Sequence, residues 1–248
     1  MSLRAEIAGR FAREALESGG GDGEVCATFR RSFYLCCPGE RYVCIGDASL
    51  GPGPLNALIR DLRIASIGER VSVSVESAKP WIPPPHVAGF PKLDDLRQAI
   101  QTAVPREGLG CLILGAHNAL SGHAQPALEA LERWLVGNAL GNEAEGLIGL
   151  GPGLTPSGDD YLGGMLVALR LSGRGMQAEG LWRWLQPRLK QRTSAISAAH
   201  LAAAAAGEAH EALHEVLNGS LDVEKLNGVG HTSGWDSLAG AVAVFKVY

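Results

Sequence analysis

The chain has 248 residues, enough for one large hydrophobic core or two smaller ones. Hydrophobic residues make up 46% of it and charged residues 19%, and the formal net charge is −4, the composition of a soluble globular protein. No Lys/Arg stripe with interleaved aromatics is present and no apolar run reaches bilayer length, so neither nucleic acid nor a membrane is expected as a partner.

Residues 1–17 set Arg4, Glu6, Arg10, Arg13, Glu14 and Glu17 among apolar residues at helical spacing. This predicts an amphipathic helix rather than a signal peptide. Five cysteines follow: Cys26, Cys36, Cys37, Cys44 and Cys111. An odd number without a secretion signal predicts free thiols in a reducing cytoplasm, and all five read as small core hydrophobes. Cys36 and Cys37 are neighbours in a strand-like segment, point to opposite faces and cannot chelate one metal together.

Segments 25–30, 32–37, 41–45 and 71–76 are short and apolar or alternating, which predicts strands, with a turn at Pro38-Gly39. A Gly/Pro-rich loop, 46–56, ends at Asn56. The five prolines of 79–91 predict an extended surface crossing. A helix is expected at 94–104, with Asp94 or Asp95 near its start, while 109–114 fits either element. Helix-type patterns then cover 126–137, 158–171, 178–190, 194–206, 208–217 and 235–247. The expected fold is α+β: a β-rich N-terminal half, 1–115, packed with a helical C-terminal half, 116–248, one continuous domain being the alternative.

The richest stretch is Gly-Leu-Gly-Pro-Gly-Leu-Thr-Pro-Ser-Gly-Asp-Asp at 149–160. Glycine permits positive φ and proline fixes φ, so such a run prescribes one loop shape. The loop opens a helix, whose free N–H groups and positive dipole end suit phosphates and carboxylates. Gly151, Gly153, Thr155, Ser157 and Gly158 are the expected anion-binding positions. Asp159 and Asp160 suit a proton, an amide donor or a divalent cation. They lie about 100° apart on a helix, so one faces the pocket and the other braces the loop.

Two further segments share the design, with hydroxyls ahead of a helix: Arg192-Thr193-Ser194, and Gly230 to Asp236 with His231, Thr232 and Ser233. Capping alone explains Thr193-Ser194, whereas the run 231–236 offers five polar or Gly positions where a cap needs one, so capping and function stand even there. Together with Asn56 they complete the expected anion-binding set, and His231 is the candidate for acid–base work near neutral pH. The Gly-x-Gly at 151–153 lacks a dinucleotide-fingerprint continuation, and no P-loop lysine follows. His210-Glu-Ala-Leu-His214 matches a zinc-hydrolase pattern without its downstream histidine, and its flanks Glu208, Glu211 and Glu215 read as a solvated face. His117, Asn118, Ser121 and His123 form one more polar loop, read as surface or capping.

The 149–160 motif, the Leu-Gly-Pro-Gly-Pro-Leu-Asn at 50–56 and the His-Thr-Ser-Gly-Trp-Asp-Ser-Leu-Ala-Gly at 231–240 resemble the AllH family. The resemblance implies a subunit of oxamate carbamoyltransferase in anaerobic allantoin and purine breakdown. The reaction it implies exchanges a carbamoyl group between oxalurate plus phosphate and oxamate plus carbamoyl phosphate. The implied partners are a small anionic substrate and other carbamoyltransferase subunits. No cofactor is expected beyond a divalent cation, which the Asp pair itself suits. The Ser-Thr-Arg-Thr-Arg phosphate motif of ordinary carbamoyltransferases is absent, so a carbamoyl site here is built differently or shared between subunits. Two readings compete: a non-catalytic anion-binding or regulatory subunit, and a zinc hydrolase through His210 and His214.

Overall fold

Strand pairing organises the first third of the chain. In the computed structural model, which describes residues 1–86 and 89–247, internal contacts divide the chain into two units, Met1–Pro83 and Pro84–Tyr248. The first unit holds β1 (Ser2–Arg4), β2 (Ile7–Gly9), α1 (Arg10–Ser18), β3 (Asp22–Thr28), β4 (Ser32–Cys37), β5 (Arg41–Asp47), β6 (Asn56–Ile59), β7 (Arg70–Ser74) and β8 (Lys79–Trp81). The strands form one sheet in the order β1-β7-β3-β4-β5-β6-β2-β8. The register Val25↔Leu35 and Leu35↔Val43 stacks these three residues on one face. Phe33, Ile45 and α1 residues Ala12, Ala15 and Leu16 complete that core.

The helix expected over 1–17 is corrected. Residues 2–4 pair in parallel with β7 and residues 7–9 pair with β6 and β8, so α1 begins only at Arg10. The i,i+4 pairs Arg10–Glu14 (3.4 Å) and Arg13–Glu17 (3.1 Å) survive within it. The loop 46–56 is tightly structural. A Cβ on Gly9 would lie 2.1 Å from the Gly53 carbonyl oxygen, so the chain entering α1 passes directly against it. The cysteine reading holds for Cys37, Cys44 and Cys111, which are buried. Burial pushes the thiols of Cys37 and Cys44 up to about 11 and about 12. It fails for Cys26, which is exposed, and for half-buried Cys36: the core is on the opposite face of their strands.

The second unit is helical: α2 (Leu93–Ile100), α3 (Ala119–Leu135), α4 (Ser157–Leu171), α5 (Gly175–Arg192), α6 (Ala195–Ala205), α7 (Glu211–Leu217) and α8 (Ser233–Phe245). Leu96 and Ile100 of α2, with Leu109 and Ile113, belong to this core. The division between units therefore falls earlier than 115/116. Segment 109–114 closes in a 3₁₀ turn, Gly110–Leu114. Part of the proline-rich crossing, Val87 and Ala88, lies outside the described residues, and its first residues form β8.

Helix α3 starts before Pro126 because Asn118 and Ser121 form a reciprocal capping box. Helix α4 is apolar nearly all round and correspondingly buried, with Leu162, Met165, Leu166 and Leu169 fully inside. Its contact with α8 is backbone to backbone. A Cβ on Gly164 would lie 1.8 Å from the Ser237 carbonyl oxygen, and one on Gly240 would lie 1.8 Å from that of Tyr161. This close crossing brings the starts of α4 and α8 together.

Candidate anion-binding cleft

The loop before α4 turns on three left-handed glycines, Gly149, Gly151 and Gly153, at φ 74°, 112° and 95°. Two positions also exclude any side chain by space. A Cβ on Gly149 would lie 2.0 Å from the Arg192 carbonyl oxygen, and one on Gly158 would lie 2.0 Å from that of Leu147. The loop is thus pressed against the junction of α5 and α6.

Asp159 locks that arrangement. It is buried, and Oδ1 accepts the Gly149 N–H at 2.8 Å. Oδ2 accepts the Ser197 hydroxyl at 2.6 Å and also the Thr193 hydroxyl. Burial pushes its carboxyl up, against the hydroxyls of Ser197 and Thr193 and the Gly149 N–H. Ser194 caps α6 by accepting the Ser197 N–H at 2.9 Å, and its own hydroxyl donates to the Leu154 carbonyl at 2.5 Å. Hydroxyls and carboxylate together fasten α4, the glycine loop and α6 into one body.

The third helix start joins through Thr155, whose Oγ1 lies 3.0 Å from Ser233 Oγ at the head of α8. Asp236, fully buried, accepts the N–H groups of Leu109 (2.5 Å) and Gly110 (3.1 Å) through Oδ1. Burial pushes its carboxyl up, against the Ser157 hydroxyl and those N–H groups. Asp160 sits between these parts. Burial raises its carboxyl well above the usual carboxylate range, and the charges of Asp236 and Asp159 add to the rise. The hydroxyls of Ser233 and Thr155 oppose it. Its Oδ2 is closed to solvent and makes no hydrogen bond among the described residues. The three loop–helix starts therefore converge. Asp159 braces the loop, but neither aspartate is among the residues lining the cleft, so the expectation that the other one faces the pocket is not met.

Beside the brace lies an open cleft of about 380 Å³. Gly149, Gly151, Gly153 and Pro156 line it from the loop, and Gln191, Arg192, Thr193 and Ser194 line it from the α5–α6 junction. The N–H groups of Gly151 and Gly153 make no hydrogen bond among the described residues. Those of Gly149 and Gly158 are engaged, by Asp159 and by the Leu150 carbonyl. The hydroxyls of Thr193 and Ser194 are likewise committed internally, so they shape the cleft rather than supply free donors.

His231 stands apart from this cluster. Its side chain is 80% exposed, and Nε2 lies 3.7 Å from Oε2 of equally solvated Glu107. Thr232 precedes α8 and makes no side-chain cap. Asn56 belongs to the first unit, where it is buried and donates to the Gly51 carbonyl at 2.9 Å.

Gln191 and Ser197 are residues of the site that the sequence does not single out, whereas Arg192 and Asp236 stand inside the singled-out segments without being given a role there. Ser197 carries one readable signal, the Ser-x-x-Ser spacing from Ser194. Arg192 precedes the Thr193-Ser194 pair, but helix pattern alone places it on the solvated end of α5.

The zinc reading does not fit its residues. Helix α7 begins at Glu211, so His210 is its N-cap and the two histidines do not stand one turn apart on a helix. Nδ1 of His210 accepts the Ala212 N–H at 3.2 Å, and Nε2 of buried His214 accepts the Ala209 N–H at 3.1 Å. Among the described residues no group of three or more His, Cys, Asp or Glu could hold a metal ion. Asn118 of the other polar loop is structural: besides capping α3, it donates to the Gly108 carbonyl at 2.7 Å.

The sequence model of the family described as oxamate carbamoyltransferase subunit AllH matches residues 147–245. This part of the chain, about two fifths of its length, is similar to that family. The AllH span holds every residue that lines the cleft, together with Asp159, Asp160 and Asp236. No solved structure matches the chain. No helix among the described residues is long and apolar enough to cross a membrane.

Proposed function

We propose that the chain is a subunit of an oxamate carbamoyltransferase and that the cleft at 149–156 and 191–194 binds its small anionic substrate. The observation that carries this is the convergence of three helix starts beside a glycine-lined cleft, all within the AllH span. Compact anions carrying phosphate, carboxylate or amide groups suit free backbone N–H groups at positive helix ends. The reaction would exchange a carbamoyl group between oxalurate plus phosphate and oxamate plus carbamoyl phosphate, within purine and allantoin breakdown in the cytoplasm.

In this reading Asp159 positions the cleft, and Asp160, half-buried with its Oδ2 closed to solvent, is an acid outside the lining rather than a group in contact with substrate. Other subunits of the complex would complete the carbamoyl-transfer site. The non-catalytic reading, a subunit that binds or senses the anion, draws on the same facts: Asp159 is committed internally and Asp160 Oδ2 is closed to solvent.

Ligand-dependent melting tests the shared core of both readings, because a ligand bound only to the folded state raises the midpoint with its concentration. Phosphate, carbamoyl phosphate and oxamate are expected to raise it, and the absence of any shift would remove the anion site. Carbamoyl phosphate formation from oxalurate and phosphate, measured with the chain alone and with its partner subunits, separates the catalytic reading from the non-catalytic one.

A further inference from the structure

We propose that Arg192 is the specificity-determining residue of the cleft, pairing its guanidinium with the oxygens of a compact phosphate or carboxylate. The proposal rests on the anion-binding reading above.

Glu145 is shared by two arginines. It accepts Arg188 Nε at 2.9 Å and an Arg192 guanidinium nitrogen at 2.5 Å. These hold its carboxyl below the usual range, Arg188 contributing most. One carboxylate between two guanidiniums leaves one positive charge over. Arg188 is fixed independently: it donates to the Trp184 carbonyl at 2.6 Å, and its guanidinium stacks 4.6 Å from the centroid of the Trp184 ring. Glu145 therefore stays neutralised without Arg192.

Arg192 is the more exposed partner, with its side chain 46% exposed against 29% for Arg188, and it is the charged residue that lines the cleft. The other lining residues are uncharged. The hydroxyls of Thr193 and Ser194 are occupied by Asp159 and the Leu154 carbonyl. Arg192 uses one nitrogen on Glu145, and its planar fork can meet two oxygens of an anion at once. A lysine could supply the charge but not that fork.

Calorimetric titration of the full chain with inorganic phosphate and with oxamate, using neutral oxamide as control, tests this. The wild type should bind both anions and not oxamide. Arg192→Gln should lose about tenfold or more in affinity for the anions, and Arg192→Lys should fall between. Glu145→Gln should bind at least as tightly as the wild type, because a carboxylate competing for Arg192 is gone. A merely structural pair would make Glu145→Gln lose as much as Arg192→Gln. That result, or wild-type affinity in Arg192→Gln, overturns the proposal while leaving the anion site standing. If the wild type binds neither anion, the anion-binding reading falls and the proposal with it. Should Arg192→Gln fail to fold, the Arg192→Lys and Glu145→Gln titrations decide the question in the same way.

Discussion

Ser197 donates its hydroxyl proton to Asp159 Oδ2 at 2.6 Å, tying the first turn of α6 to the first turn of α4. The same carboxylate holds the Gly149 N–H and the Thr193 hydroxyl. One buried side chain thus sets the spacing between both walls of the cleft.

Asp159→Ala removes the acceptor for all three donors at once. A buried donor left unpaired costs about 1–3 kcal/mol, and neighbouring losses are not additive. We expect a total destabilisation of about 3 kcal/mol in denaturant unfolding, together with loss of anion binding. Asp159→Asn keeps one carbonyl oxygen for the Gly149 N–H and should lose less stability. Equal stability of Asp159→Ala and the wild type would show that the clasp does not hold the loop.

Glycines in contact between α4 and α8 should behave unlike a glycine facing solvent. A Cβ at Gly164 or Gly240 would lie 1.8 Å from a carbonyl oxygen, so the helices must move apart. Gly164→Ala and Gly240→Ala should each cost about 1–3 kcal/mol or more. Gly180 is exposed within α5, and a Cβ there meets nothing within 4 Å. Gly180→Ala should instead stabilise by about 0.5–1 kcal/mol through helix propensity and a less flexible unfolded chain. Thermal melts of the three variants check the opposite signs.

The histidine pair offers a separate test. Zinc would need the Nε2 lone pair of His214, which already accepts the Ala209 N–H. Purified protein is expected to carry far less than one zinc per chain by elemental analysis. His214→Leu keeps the bulk but leaves a buried N–H without its acceptor, which should cost about 1–3 kcal/mol. His214→Gln, which can still accept, should lose less. Stoichiometric zinc that disappears in His214→Gln would reverse this assignment.

Helices α4 to α8 are legible in the sequence because their apolar patterns and helix starts are local properties. The role of Asp159 is only partly legible: the roughly 100° between adjacent helical residues separates the two aspartates and leaves one to brace the loop, but neither of them lines the cleft. The three-residue strands β1 and β2 are not legible, since their partners lie far along the chain, as in Ser2↔Ser72. Residues 1–17 look helical until that pairing is known. Segment 56–59 is masked by the glycines and prolines before it, although it pairs in parallel with β5. Arg192 stands in a segment the sequence singles out, but its role is not legible there, because it reaches the cleft from the end of α5, where charge normally means solvent.

Acid dependence should separate the buried carboxylates from the buried histidines. The Asp160 carboxyl is raised in the folded state by burial and by its acidic neighbours, so the native protein favours its protonated form. Its stabilising contribution is full below the unfolded value, about 3.9, and is lost as pH rises through the higher folded value. His200 and His214 act the other way. Burial pushes both down to about 4, so folding favours their neutral forms. Their contribution is full above the unfolded value, about 6.5, and is lost as pH falls toward 4. The two effects oppose each other between about pH 4 and 6.5, which makes the wild-type melting curve a poor diagnostic on its own. Asp160→Asn removes only the titrating carboxyl group. Compared with the wild type, it should therefore gain stability as pH rises from 5 to 7, and the difference between the two midpoints should grow with pH. A difference that stays constant over that range would show that Asp160 titrates as an ordinary exposed carboxylate.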